Sequence, residues 1–77
     1  MRLEDWNKAL IWESEFLMNK KYYSIGSAME KAWDRNYPDI IKNEEIDISE
    51  LRNLFWTKGL KSLKKTNEEI LRRYENE

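Results

Sequence analysis

Hydrophobic residues recur at helical spacing from the first residues onward. When residues 3–18 are placed at 100° intervals, most apolar side chains fall in an arc of about 180°: Leu3, Trp6, Ala9, Leu10, Trp12, Phe16 and Leu17. The pattern predicts a first helix with this arc facing the core. Ile11 and Met18 fall on the opposite side as a narrower apolar strip, which a single core would leave uncovered.

A second helix is predicted after a short polar break. Ser27 followed by Glu30 has the spacing of a capping box at a helix start. The apolar residues that follow share one face: Ile25, Ala28, Met29, Ala32 and Trp33. The helix should run to about Asn36, because Pro38 disfavours helical geometry in the residue before it.

A loop over residues 38–46 precedes a third helical stretch, for which Asp47 and Glu50 supply another capping box. Its inward face consists of Ile48, Leu51, Leu54 and Phe55. Beyond this point the apolar residues move to another face, with heptad-like spacing: Trp56, Leu60, Leu63, Ile70 and Tyr74, with the polar Asn67 among them. A bend near Gly59 would explain the change, as would one straight helix that contacts two neighbours. Thr66 with Glu69 could also start a separate last helix.

These elements predict an all-α fold, a bundle of three to four helices in which the C-terminal helix could be long or bent. At 77 residues the chain has room for a single domain over residues 1–77. Two glycines, one proline and 13% aromatic residues favour packed helices over a turn-rich β domain.

Composition excludes several classes of function. Without cysteine or histidine there are no disulfides, no thiolate or imidazole metal sites and no Ser-His-Asp triad. No apolar run approaches the roughly 18 residues of a membrane span, and residues 1–6 do not resemble a signal peptide. Residues with AT-rich codons outnumber those with GC-rich codons, which favours a bacterial or phage source. We therefore expect a protein of the cytoplasm, in a bacterium or a phage-infected cell.

The acidic stretch before the third helix predicts no metal site. Its oxygen-bearing residues fit positions 1, 5, 9 and 12 of a calcium-binding loop: Asp39, Asn43, Asp47 and Glu50. Glu44, however, occupies the position that needs glycine for the sharp turn. We expect a solvated loop with a helix cap and no cofactor.

Glu13 projects into the apolar arc of the first helix. A buried carboxylate could transfer protons, but a lone one is a weak catalytic signal. The simpler interpretation pairs Glu13 with Arg2, Lys20 or a basic residue of another helix. We expect no enzymatic activity.

A basic segment offers one candidate function. Residues 52–65 contain no acidic residue, and four lysines lie within about 120° of one helix face: Lys58, Lys61, Lys64 and Lys65. Such a face could follow a phosphate backbone. With a net charge of −1 and a loop too long for a helix-turn-helix, the chain suits nucleic acid less well than protein.

The aromatic residues favour a larger protein partner. Four tryptophans and four tyrosines exceed what one small core readily buries. Tyr22 and Tyr23 are adjacent in an interhelical turn, so both can hardly point inward. We predict a partner surface centred on them, with Trp12, Glu44 and Glu45 as its rim. The chain would then be a small accessory or phage-encoded protein that occludes or adapts a larger host component.

Two apolar strips also predict a homodimer, because neither has an assigned neighbour in a three-helix core. One consists of Ile11 and Met18, and the other of Leu60, Leu63, Ile70 and Tyr74. Asn67 would set the register within the second strip, as polar seam residues do.

Overall fold

The computed structural model, which describes residues 2–75, is an all-helical bundle. Helix α1 spans Leu3–Lys20, and helix α2 spans Ile25–Ile40. The third helix is long: α3 (Ile48–Leu54) continues through a π-helical turn (Phe55–Gly59) into α4 (Leu60–Glu75). Residues 2–75 contain no strand, so the predicted all-α class is confirmed. None of the helices over these residues is long and apolar enough to cross a membrane.

Helix α2 begins earlier than predicted. Ser24 is its N-cap, and the Ser24 hydroxyl accepts a hydrogen bond from the backbone N–H of Ser27 at 3.4 Å. Ser27 therefore lies inside the first turn, and the predicted capping box at Ser27 and Glu30 is wrong. A serine three residues upstream supplies the same local chemistry, and it leaves Ile25 within the helix.

Helix α2 also ends later than predicted, because it continues through Pro38 to Ile40. A proline in the last turn removes only one backbone donor. Ile40 is fully buried, so the last turn gains apolar packing in exchange. The Ile41 N–H then donates to the Tyr37 carbonyl at 3.0 Å. The connection to α3 is consequently shorter than predicted and covers residues 41–47.

The start of α3 follows the local sequence signal. One carboxylate oxygen of Asp47 accepts the backbone N–H groups of Ser49 at 2.9 Å and Glu50 at 3.2 Å. The predicted cap at Asp47 is confirmed. A single side chain satisfies two of the donors that a helix N-terminus leaves without intrahelical partners.

The π turn of the third helix cancels the predicted change of apolar face, because it keeps the later buried residues on the same side as the earlier ones. The Leu60 N–H donates to the carbonyl of Phe55, five residues earlier, so this turn holds an extra residue. Leu51, Phe55, Gly59 and Leu63 are all buried although they are spaced by four. In a regular helix that spacing drifts by about 40° per step, and the wider turn absorbs the drift. Thr66 lies within α4, so no separate last helix starts there.

The core-facing side of α1 differs from the predicted arc by roughly a quarter turn. Trp12 is 76% exposed and Phe16 is 50% exposed, whereas Ser14 and Met18 are buried. The Ser14 hydroxyl donates to the Leu10 carbonyl at 2.8 Å, which allows a polar side chain to face the core. The predicted inward position of Trp12 and Phe16 is wrong.

The strip of Ile11 and Met18, predicted to lack a neighbour, packs against the third helix, whereas Tyr74 of the second strip is half exposed. Ile11 lies against Gly59: a Cβ built on this glycine would come within 3.4 Å of Ile11 Cγ1 and 2.7 Å of Phe55 Cδ1. Met18 and Leu63 belong to the same buried cluster. The third helix therefore packs along the side of α1 that a two-helix arrangement would leave bare. Self-association through Ile11, Met18 and Leu63 would require the bundle to open.

Candidate protein-binding site

Tyr22 has an unusual backbone conformation in the turn after α1. Its φ is 60°, in the left-handed region that favours glycine. The Leu17 carbonyl accepts both the Lys21 N–H at 3.0 Å and the Tyr23 N–H at 3.2 Å, which closes the helix end around Tyr22. A side chain in this conformation costs about 1–2 kcal/mol. The Tyr22 side chain is 76% exposed, so it regains little of that cost by burial.

The two adjacent tyrosines line a cleft between the α1–α2 turn and the C-terminal half of α4. The cleft has a volume of about 280 Å³. Its lining is mainly apolar and aromatic: Met18, Tyr22, Tyr23, Ser24, Asn67, Ile70, Leu71 and Tyr74. Leu71 and Tyr74 are each about half exposed, at 53% and 52%. We call this set of residues the tyrosine cleft.

The tyrosine cleft unites two groups of residues that the sequence pattern assigns to different surfaces. Tyr22 and Tyr23 were predicted as a partner surface, whereas Met18, Asn67, Ile70 and Tyr74 were predicted for self-association. The structure places both groups around one concave surface. The sequence pattern does not identify Leu71 as a site residue, because Leu71 lies beside the heptad-like stripe and not within it. Its spacing of three residues from Tyr74 is the one signal that could have identified it.

Basic side chains flank the cleft along the chain. Lys20 and Lys21 precede the tyrosine pair, and Arg72 and Arg73 lie between Leu71 and Tyr74. All four basic residues are exposed. An Arg73 guanidinium nitrogen donates to the Asn19 side-chain oxygen at 3.3 Å, which links α4 to the end of α1. Lys20 and Arg73 line the separate groove beside Trp12 and Phe16, and exposed acidic residues of α4 also neighbour the cleft residues in sequence: Glu68, Glu69 and Glu75.

The structure does not place the predicted rim residues at this cleft. Glu44 and Glu45 lie in the loop over residues 41–47, beyond the far end of α2. That helix has 16 residues, so they are separated from the α1–α2 turn by about 24 Å. Trp12 lies ten residues before Tyr22, about 15 Å along α1. Neither acidic residue and no part of Trp12 lines the cleft.

Glu13 joins α1 to α2. Its carboxylate lies 3.4 Å from the Arg35 guanidinium and accepts a hydrogen bond from the Asn36 side-chain amide. The prediction that Glu13 pairs with a basic residue of another helix is confirmed. Through this ion pair and hydrogen bond, the Glu13 carboxylate links α1 to α2.

The acidic loop has one carboxylate with an assigned role, the Asp47 helix cap. Over residues 2–75, no group of three or more potential ligand side chains is arranged to hold a metal ion. Within the loop, the Asn43 side-chain oxygen accepts a hydrogen bond from the Glu45 N–H at 3.3 Å.

The basic face of the third helix is exposed to solvent. Its four lysines are all exposed: Lys58, Lys61, Lys64 and Lys65. No carboxylate of residues 2–75 lies within 4 Å of their ammonium groups. Arg52 is engaged differently. Its guanidinium carbon lies 4.3 Å from the Trp56 ring and 5.2 Å from the Trp33 ring, and it pairs with Glu30 at 3.5 Å. Arg52 therefore stabilises the α2–α3 contact.

Comparisons of the chain with protein-family models, with curated proteins and with solved structures found no match. The functional interpretation therefore depends on the geometry and chemistry of the surfaces described above.

Proposed function

We propose that this protein is a small, non-enzymatic binding module that recognises a larger protein through the tyrosine cleft. The observation that carries the proposal is Tyr22, a highly exposed aromatic residue in a backbone conformation suited to glycine. Strained residues with little packing benefit concentrate at functional sites. A tyrosine at this position lowers stability and presents a rigid aromatic ring to a partner.

The surround of the cleft favours a partner of particular chemistry. Tyrosine rings and Leu71 offer apolar contact area, and tyrosine is enriched among residues that dominate binding energy. Lys20 and Lys21 are exposed and directly precede the tyrosine pair in the chain, so they would attract negative charge. We infer that the partner presents an apolar anchor within an acidic segment, and that binding occludes or adapts that segment.

The test compares capture by wild-type protein with capture by the variant Tyr22→Ala with Tyr23→Ala. The baits are immobilised in equal amounts, and proteins retained from lysate of the producing or infected cell are quantified by mass spectrometry. Truncating binding hot spots costs about 2 kcal/mol or more, so the double variant should bind at least roughly thirtyfold more weakly.

A matched control separates the cleft from tyrosine content in general. Tyr37 is 41% exposed and lies on α2, outside the cleft, so Tyr37→Ala should leave capture unchanged. Circular dichroism and melting temperature must show that each variant stays folded. If the folded double variant retains the same protein at wild-type strength, the cleft is not the binding surface.

The basic face carries a second candidate function, contact with nucleic-acid phosphates. It is supported by the four exposed lysines without nearby carboxylates. From Lys58 to Lys65 they extend about 10 Å along the helix, enough to follow a few phosphates of one strand. A shift of a DNA duplex at low salt that disappears as salt rises would support it.

A further inference from the structure

Trp12 and Phe16 form an exposed ridge on α1, away from the tyrosine cleft. Both rings line a groove of about 420 Å³ on the α2 side, together with Glu13 and Arg35. Both also line a groove of about 370 Å³ on the α4 side, which includes Asn19. The Trp12 and Phe16 rings therefore form the wall that separates the two grooves. A ridge flanked in this way can fit a second ridge of the same shape.

The ridge belongs to a longer row of exposed side chains spaced by four residues, which we call the α1 outer row. Its members are Glu4, Lys8, Trp12, Phe16 and Lys20. Such rows form the ridges by which helices pack against each other. When an antiparallel copy of the row is centred on Trp12, every position meets a compatible partner: Glu4 meets Lys20, Lys8 meets Phe16, and Trp12 meets Trp12.

We propose that the α1 outer row is a self-association surface, which pairs with the same row of a second copy in antiparallel orientation about a two-fold axis at Trp12. The pairing is isologous, so each contact occurs twice. Rows spaced by four in both helices interdigitate at a crossing angle of about 50°. In this arrangement Trp12 of each copy enters a groove beside the partner's ridge.

Charge selects the antiparallel orientation over the parallel one. The first turn of α1 is acidic, with Glu4 and Asp5, and its last turn is basic, with Lys20. A parallel pair would place acidic beside acidic and basic beside basic. An antiparallel pair opposes the two signs and also opposes the two helix dipoles. Lys8 gains a contact with the face of Phe16.

The exposed area predicts a weak dimer. Aromatic side chains bury about 150–250 Å² each, and Trp12 is 76% and Phe16 50% exposed. Two copies of each therefore supply about 400–600 Å², a third to a half of the roughly 1,200 Å² found in the smallest stable interfaces. The flanking members of the row supply the rest. The dimer should therefore form at tens to hundreds of micromolar and dissociate on dilution.

Sedimentation equilibrium of the full chain over that concentration range tests the proposal. Wild-type protein should show a monomer–dimer equilibrium, and Trp12→Ala should weaken it at least tenfold with the helical circular dichroism unchanged, because Trp12 lies outside the core. Tyr37→Ala serves as the matched control and should leave the equilibrium unchanged. A wild-type monomer at all these concentrations, or a dimer unaffected by Trp12→Ala, would overturn the proposal.

Charge reversal tests the orientation. Glu4→Lys alone and Lys20→Glu alone should each weaken the dimer severalfold, and the two changes combined should restore it, because each reversed residue then meets its reversed partner. Failure of the combined variant to recover would refute the antiparallel pairing. Tyr22→Gly should leave the dimer intact, and its loss in that variant would assign association to the tyrosine cleft instead.

Discussion

The replacement Gly59→Ala tests the close packing of Gly59 against Phe55 in the π turn of the third helix, with Ile11 of α1 on the other side. Alanine normally stabilises a helix interior relative to glycine by about 1 kcal/mol. At this position, however, the new Cβ would lie 2.7 Å from Phe55 Cδ1, well inside the usual carbon–carbon contact of about 3.5–4.0 Å. Phe55 is fully buried and Ile11 closes the other side, so neither can move away freely.

Overpacking of this kind typically costs about 1–3 kcal/mol. After the gain in helix propensity, we expect Gly59→Ala to lower the free energy of unfolding by about 1 kcal/mol. The melting temperature should fall by about 4–8 °C for a chain of this size. Urea denaturation followed by circular dichroism and by tryptophan fluorescence measures the change directly.

Gly26→Ala provides the internal control for this prediction. Gly26 lies in the first turn of α2, and a Cβ added there would meet nothing within 4 Å. This variant should be as stable as wild type or more stable by up to about 1 kcal/mol. If Gly59→Ala is stabilised to the same extent as Gly26→Ala, the proposed packing of Gly59 against Phe55 and Ile11 is refuted.

Two further predictions concern local features of the third helix. Asp47→Ala should lower the free energy of unfolding by about 1 kcal/mol, because two backbone donors lose their cap; an unchanged denaturation midpoint would contradict the capping role. Lys58→Glu with Lys61→Glu should abolish any DNA retention and leave stability within about 0.5 kcal/mol of wild type. With four exposed lysines, the logarithm of any wild-type DNA affinity should fall with log salt at a slope no steeper than about −4, and salt-independent retention would exclude phosphate contact.

Features that depend on a few neighbouring residues could be predicted from the sequence. The Asp47 cap needs only a carboxylate next to the first backbone donors of a helix. The exposure of at least one of Tyr22 and Tyr23 follows from two large side chains in one short turn. Each of these is decided by local geometry, so the sequence carries enough information to predict it.

Features that depend on how whole helices pack together could not be predicted from the sequence. The core side of α1 is set by two neighbouring helices, and Ser14 can face the core because its hydroxyl bonds to the Leu10 carbonyl. Hydrophobicity alone predicts that Trp12 and Phe16 are buried, although both are exposed. The π turn shifts the later residues of the third helix, and this shift brings Leu71 beside Tyr22 only once the helices have packed.

The variant Tyr22→Gly tests the central claim that this position gives up stability for binding. Glycine relieves about 1–2 kcal/mol of backbone strain and adds about 0.5–1 kcal/mol of unfolded-chain flexibility. The free energy of unfolding should therefore rise by about 0.5–1 kcal/mol. Because the ring is removed, the dissociation constant for the captured partner should rise about tenfold or more.

The decisive measurement is the dissociation constant of Tyr22→Gly for that partner, determined by titration calorimetry beside wild-type protein and paired with the urea denaturation of both. We expect Tyr22→Gly to be more stable than wild-type protein and to bind the partner at least about tenfold more weakly. A Tyr22→Gly protein that binds the partner with wild-type affinity would contradict it.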